Sequence, residues 1–101
     1  MLFVTIYKPR PGLTREQQQE IYTRRLQWNF DPATKVIGEY FLIGTSPEDP
    51  TGVLIYESDN PVAEYRDHAV WGDLLDIRTH LAIPGEEGLK VIRQMVQAAA
   101  P

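Results

Sequence analysis

The spacing of apolar residues at the start of the chain predicts a strand followed by a helix. Residues 2–7 (LFVTIY) are rich in β-branched and aromatic side chains, as strands are, and both of their alternating faces are largely apolar. A strand with two apolar faces is covered on both sides. Thr14 and Gln17 then form a capping-box pattern, which predicts a helix from Leu13 to about Asn29.

The middle of the chain predicts two strands joined as a hairpin. Residues 35–45 indicate a long second strand with Gly38 inside it, and interior glycine suggests a bulge or a bend. Turn-forming residues fill 46–52, and residues 53–57 form the third strand. Strict alternation along the second strand would place two apolar sets on opposite faces: Ile37, Phe41 and Ile43 on one, and Val36, Tyr40 and Leu42 on the other.

The last third of the chain predicts a helix, a strand and a helix. Asn60 as N-cap and Pro61 at the first helical position start the second helix, which is expected to reach Val70 or Trp71. The fourth strand covers residues 74–83. A terminal helix follows and carries an apolar stripe at helical spacing, formed by Leu89, Ile92, Met95, Val96 and Ala99.

The predicted order, β-α-β-β-α-β with a C-terminal helix, is that of the ferredoxin-like fold. This α+β arrangement is a four-stranded antiparallel sheet with both crossing helices on one face. The 101 residues favour a single domain over 1–101, because two cores would each have only about 50 residues. The other sheet face has no helix to cover it, and an apolar face of that size favours a twofold homodimer in which two sheets meet.

Composition excludes several classes of function. The chain has no cysteine, which excludes disulfides, thiolate catalysis and cysteine zinc sites. The net charge is −4, and the sequence lacks the cluster of basic residues that binding of nucleic acid requires. No apolar run approaches the ~20 residues that cross a bilayer, and no basic leader opens the chain. We therefore expect no membrane segment and no signal peptide, and a cytoplasmic location.

Three segments carry a resemblance to a known superfamily. They are the opening LFVTIYK with Pro11-Gly12, the stretch ESDNP over residues 57–61, and WGDLLDI over residues 71–77. On these segments the chain resembles the dimeric α+β-barrel superfamily, which includes small antibiotic-biosynthesis monooxygenases, muconolactone isomerases, stress-responsive barrel proteins and polyketide cyclases. More narrowly, it is similar to an uncharacterised bacterial branch with a Trp-x-Asp-Leu-Leu-Asp stretch. The resemblance implies the fold and homodimerisation.

The fourth strand carries three ionisable residues on one face. Asp76, Arg78 and His80 alternate with apolar residues that match a helix-covered core, so we expect them at the dimer interior or its rim. Asp76 and Arg78 are close enough to pair, which leaves His80 as a group able to titrate near neutral pH. The strand is either an edge protected by charges against aggregation or the carrier of a functional His80.

His68 shares one face of the second helix with Tyr65 and Trp71, each three residues away. The three form either an aromatic cap between helix and sheet or the wall of a pocket in which His68 is an acid or base. Polyketide cyclases of the superfamily use a histidine with a tyrosine in a comparable cavity. The resemblance implies chemistry of this type, and no motif maps that pair onto the chain.

Three tyrosines, Tyr7, Tyr40 and Tyr56, come from three predicted strands. They would line a ligand cavity if the strand register placed them on one face, and they are packing residues otherwise. Two histidines on different elements do not form a metal-binding motif, and the chain has no glycine-rich phosphate loop and no nucleophile motif. We therefore expect neither a metal nor a cofactor.

The sequence leaves three functions open. The first is a cofactor-independent enzyme, an isomerase, a cyclase or a monooxygenase, that moves a proton on a small hydrophobic or aromatic molecule with His68 or His80 as the base. The second is a non-catalytic, ligand-binding or stress-associated dimer. The third is a structural partner subunit.

Overall fold

The computed structural model describes residues 1–44 and 46–100, and the predicted elements occur in the predicted order. Their bounds are β1 Leu2–Pro9, α1 Arg15–Gln27, β2 Lys35–Phe41, β3 Gly52–Glu57, α2 Pro61–Trp71, β4 Leu75–Ala82 and α3 Gly85–Ala99. The strands form one antiparallel sheet in the order β2-β3-β1-β4. The prediction of a ferredoxin-like α+β fold is confirmed.

The starts of α1 and α2 are capped as the sequence indicates. The hydroxyl of Thr14 accepts the backbone N–H of Gln17 at 3.1 Å, and the Gln17 side chain accepts the backbone N–H of Thr14 at 2.9 Å. This is a complete capping box. The side-chain oxygen of Asn60 accepts the backbone N–H groups of Val62 and Ala63. These bonds satisfy donors that the first turn of a helix otherwise leaves unpaired.

The second strand differs from its prediction in length and in alternation. It ends at Phe41, and Thr45, the predicted last residue, lies outside the described residues. A register shift between Val36 and Gly38 takes Ile37 out of the ladder with β3. Because of this bulge, Val36 and Phe41 lie on the same face of the sheet, whereas strict alternation had put them on opposite faces.

The strand register divides the sheet residues between two faces, since residues directly opposed in an antiparallel pair share a face. α1 and α2 lie over the covered face, formed by Phe3, Thr5, Tyr7, Glu39, Leu54, Tyr56, Leu75, Ile77 and Thr79. The uncovered face is formed by Leu2, Val4, Ile6, Lys8, Tyr40, Val53, Ile55, Asp76, Arg78 and His80.

The buried apolar core is small and lies around α2. Its members are Tyr56 on β3, Ala63 and Trp71 on α2, and Leu74 and Leu75 at the start of β4. In contrast, α1 has no buried residue. The space between α1 and the covered face is therefore not closed by packing, and this space is where the site lies.

α3 stands apart from the rest of the molecule. Every residue of α3 except Gly88 is exposed, including the predicted apolar stripe. The molecule measures 61 × 34 × 18 Å with a radius of gyration of 17.0 Å, whereas a compact domain of this length has about 13 Å. Within residues 1–44 and 46–100, no helix is long and apolar enough to cross a bilayer.

Candidate functional site

A cavity of about 750 Å³ separates the covered face from α1 and α2. Most of its lining is apolar or aromatic, with a few polar groups among them. The strands contribute Thr5, Tyr7, Glu39, Leu54, Tyr56, Leu75 and Ile77, and the helices contribute Ile21, Tyr22, Arg25, Leu26, Asp67, His68 and Trp71. Trp28 and Phe30, just after α1, close one side.

Two tryptophans hold the helices together at one wall of the cavity. Trp28 and Trp71 meet edge to face, with ring centroids 5.9 Å apart. The guanidinium of Arg24 lies 5.4 Å from the Trp71 ring and donates to the carbonyl oxygen of Val70 at 2.8 Å. It also forms an ion pair with Asp73 at 2.8 Å, and this hydrogen bond lowers the pKa of the Asp73 carboxyl. The end of α2 is thereby tied to α1.

A charged pair faces the cavity from the β2 side. Nε of Arg25 donates to Oε2 of Glu39 at 2.9 Å, and a second guanidinium nitrogen pairs with the other carboxylate oxygen. The guanidinium also stacks on Phe30, 5.3 Å from the ring centroid. Because such a bidentate pair satisfies both partners, Glu39 does not face the apolar cavity as a lone charge.

Tyr7 points into the cavity beside this pair. It lies opposite Gly52 in the β1–β3 ladder, and a side-chain carbon at position 52 would overlap the Tyr7 phenol. Glycine is therefore required there for close approach. Burial, and secondarily the negative charge of Glu39, raise the pKa of Tyr7 to about 12. The phenol is a neutral hydrogen-bonding group at physiological pH.

A chain of side-chain hydrogen bonds crosses the covered face from one turn of α2 to the next. Nε2 of His68 lies 2.7 Å from Oγ1 of Thr79, and Oγ1 of Thr79 lies 2.8 Å from Oγ1 of Thr5. Thr5 is 3.3 Å from the hydroxyl of Tyr56, which donates to Oε2 of Glu64. We call these five residues, from α2, β4, β1, β3 and again α2, the polar chain.

The carboxylate end of the polar chain is buried. Burial and, secondarily, the hydrogen bond to Glu64 together raise the pKa of Tyr56 to about 12. The other carboxylate oxygen of Glu64, Oε1, is buried without a hydrogen-bond partner in the described structure. Burial also raises the pKa of the nearby Asp67 carboxyl, with repulsion from Glu64 and Asp31 adding to the effect.

Four of the residues singled out from the sequence meet at this cavity. His68, Tyr7, Tyr56 and Trp71 all line it. His68 is exposed on one side, so it stands at the mouth of the cavity rather than in its depth. Tyr65 lies elsewhere: it is 78% exposed on the outer side of α2.

The remaining candidates lie on the uncovered face. Tyr40 is there because of the β2 register, and so are Asp76, Arg78 and His80, as predicted from strand alternation. Asp76 lies 4.0 Å from Arg10, and no ion pair joins it to Arg78 among the described residues. Asp76, Arg78 and His80 line, with Lys8, a second and more polar cavity of about 720 Å³. His80 lies on the uncovered face and His68 on the helix over the covered face, and both border this second cavity.

Sequence reasoning missed Glu64, Thr5, Thr79 and the pair of Arg25 with Glu39. Glu64 and His68 are four residues apart on α2 and therefore share a face. This spacing is the one feature of the sequence that could have indicated Glu64. The contact of Thr5 with Thr79 depends on the β1–β4 register, which alternation alone does not supply. Within the described ranges, no three His, Asp or Glu side chains lie close enough together to hold a metal ion.

Comparison with known proteins assigns the chain to a family. No curated protein and no solved structure matches it. A family model described as a domain of unknown function, DUF3303, matches residues 1–96, which is nearly the whole chain. The chain therefore belongs to the DUF3303 family.

Proposed function

We propose that the chain binds a small aromatic molecule in the cavity under α1 and α2 and moves a proton on it without a cofactor, with His68 as the base. The observation that carries the proposal is the position of His68 at the mouth of an aromatic cavity, hydrogen-bonded to the sheet. In this proposal the protein is a cytoplasmic homodimer of the dimeric α+β-barrel superfamily, close to its Trp-x-Asp-Leu-Leu-Asp branch.

The size and lining of the cavity support a small-molecule ligand. Cavities of about 300–1,000 Å³ with apolar walls and a few placed polar groups are typical of ligand sites, and this one has about 750 Å³. Flat aromatic ligands fit the ring-lined wall at Trp28 and Trp71. The phenol of Tyr7 is the neutral donor within reach of a polar substituent.

His68 is preferred over His80 as the base because of its surroundings. His68 borders the apolar cavity on one side and solvent on the other, so it can meet a bound molecule and also exchange its proton. His80 is exposed on the uncovered face among Lys8, Arg78 and Asp76, with no comparable apolar space. Isomerisation, cyclisation and cofactor-free oxygenation all begin with removal of a substrate proton, which is the step a placed histidine accelerates.

The binding part of the proposal is tested by tryptophan fluorescence. The chain has two tryptophans and both line the cavity, so a ligand in the cavity changes the whole tryptophan signal. Titration with 2-naphthol is expected to shift this emission with a Kd of about 1–100 μM, the range for a ligand of this size in an apolar site. A Leu54→Phe variant, which adds volume inside the cavity, is expected to weaken binding at least about tenfold.

Val62→Phe is the matched control for this titration. Val62 lies on the outer surface of α2 and is 61% exposed, so the added ring leaves the cavity unchanged and the Kd should equal that of the wild type. Equal loss of binding in both variants, or unchanged binding in Leu54→Phe, would place the naphthol elsewhere and contradict the proposed site.

Two apolar surfaces that the described chain leaves without cover support the proposed homodimer. One is the uncovered face, with Leu2, Val4, Ile6, Val53 and Ile55 at its centre. The other is the stripe of α3, which continues from the end of β4. Glu86 and Glu87 balance Lys90 and Arg93 on α3, whereas helices that bind membranes carry an excess of lysine and arginine. A second copy of the chain is therefore the occupant we propose for both surfaces.

Light scattering after size exclusion is expected to give about twice the chain mass of 11.6 kDa. Ile92, in the stripe of α3, is 55% exposed in the single chain, and Ile92→Glu should raise the dimer dissociation constant at least about tenfold, since burying such a side chain contributes about 1.5–3 kcal/mol. Gln94→Glu adds the same charge on the opposite side of α3 and should leave the dimer intact. A wild-type monomer at micromolar concentration contradicts this prediction.

A further inference from the structure

We infer that ionised Glu64 fixes the direction of every hydrogen bond in the polar chain, so that Nε2 of His68 carries the proton and Nδ1 is the atom that takes a proton from a bound molecule. In catalysis, Glu64 is then a positioning residue for His68 and the final acceptor of the proton. The structural part of this inference stands on the geometry of the protein alone, and its catalytic part rests on the proposed function.

The direction follows from counting protons. A carboxylate only accepts, and each hydroxyl has a single proton to donate. Tyr56 gives its proton to Glu64, so its hydroxyl oxygen accepts from Thr5 in the 3.3 Å contact.

The same count continues to the histidine. Because the hydroxyl proton of Thr5 is donated to Tyr56, Thr79 must be the donor in the 2.8 Å contact with Thr5. Thr79 then has no proton left for His68, and the 2.7 Å contact requires Nε2–H of His68 as the donor. A neutral imidazole protonated on Nε2 has its lone pair on Nδ1. The carboxylate of Glu64 thus determines that Nδ1 of His68 is the basic atom at the mouth of the cavity.

The polar chain can also carry a proton, because all its bonds reverse together. When Nδ1 of His68 takes a proton from a ligand, the electron pair of the broken bond stays on the ligand. Nε2 passes its proton to Thr79. Thr79 then passes its hydroxyl proton to Thr5, Thr5 passes its own to Tyr56, and Tyr56 passes its own to Glu64. Glu64 ends as the neutral carboxylic acid and His68 as the neutral Nδ1–H form. No net charge remains on the imidazole, and the charge of the buried carboxylate moves to the ligand.

The tautomer of His68 tests the inference in the protein without any ligand. Long-range ¹H–¹⁵N correlation spectra of the histidine-labelled protein, recorded where both rings are neutral, are expected to show Nε2 of His68 protonated and Nδ1 bare. The Nε2 proton should exchange slowly enough to be observed. Tyr56→Phe interrupts the polar chain, and Thr79→Val removes the direct partner of His68 with little change of shape. Both variants should lose the Nε2–H signal and move the His68 nitrogen shifts towards those of exposed His80.

Tyr7→Phe is the control, because it removes the other phenol of the covered face without touching the polar chain. Its His68 signals should match the wild type. An Nδ1–H tautomer in the wild type, or unchanged His68 signals in both Tyr56→Phe and Thr79→Val, would overturn the inference. If the tautomer is as expected and 2-naphthol does not bind, the proposed function fails while the assigned direction of the polar chain stands.

Discussion

Replacing Trp71 with alanine is expected to lower the free energy of unfolding by about 3–5 kcal/mol. Trp71 is one of the few buried apolar side chains among the described residues, at 8% exposure. Its ring packs edge to face on Trp28 and lies under the guanidinium of Arg24, so it joins α2 to α1. Domains of this size have a total of about 5–15 kcal/mol, and loss of this ring removes a large part of it.

The measurement is urea denaturation followed by circular dichroism, with Tyr65→Ala as the control. Tyr65 lies on the same helix and is also aromatic, but it is 78% exposed, so its removal should change the free energy of unfolding by less than about 0.5 kcal/mol. Equal losses in the two variants would contradict the assignment of Trp71 to the core.

The fold was predictable because its signals are local. The capping box at Thr14 and Gln17 and the N-cap at Asn60 depend on residues within one helical turn, and turns separate strands whose composition is itself informative. The faces of β4 also followed from alternation, since no bulge interrupts that strand. The order of the elements, β-α-β-β-α-β with a C-terminal helix, then predicted the ferredoxin-like fold.

The site was predictable only in part, because its contacts depend on register. The bulge after Val36 changed which β2 residues face the helices, and it placed Tyr40 on the uncovered face away from Tyr7 and Tyr56. The polar chain needs Thr5 opposite Thr79, a pairing of residues 74 positions apart. Helix spacing grouped His68 correctly with Trp71 and wrongly with Tyr65, because the helical face that meets the sheet is set by tertiary packing.

Replacing His68 with glutamine is expected to lower proton-transfer activity by about 10²–10⁴-fold. Glutamine keeps a hydrogen-bonding group near Thr79 and lacks a basic nitrogen, so the loss reports the base rather than the shape of the site. Binding of 2-naphthol should change by less than about tenfold, since at most one net hydrogen bond is lost. A large effect on turnover with a small effect on binding is the signature of a group that acts in the reaction.

The probe reaction is the base-promoted opening of 5-nitrobenzisoxazole, a flat bicyclic molecule that needs no cofactor. A base removes the ring C–H proton, the electron pair of that bond forms the nitrile, the N–O bond breaks, and a coloured nitrocyanophenolate is released. The reaction is accelerated by a base beside an apolar, aromatic cavity, which is the arrangement proposed for His68. His80→Gln is the matched control, because it removes the other histidine of the chain from the opposite face of the sheet.

The most direct test of the proposed site is therefore kcat/KM for 5-nitrobenzisoxazole in the wild type, His68→Gln and His80→Gln, each checked to be folded by circular dichroism. The wild type and His80→Gln should be equal, and His68→Gln should fall by about 10²-fold or more. Retention of the wild-type value in His68→Gln, or an equal fall in His80→Gln, would contradict the assignment of His68 as the base. Naphthol binding without any histidine-dependent turnover would instead favour a ligand-binding dimer.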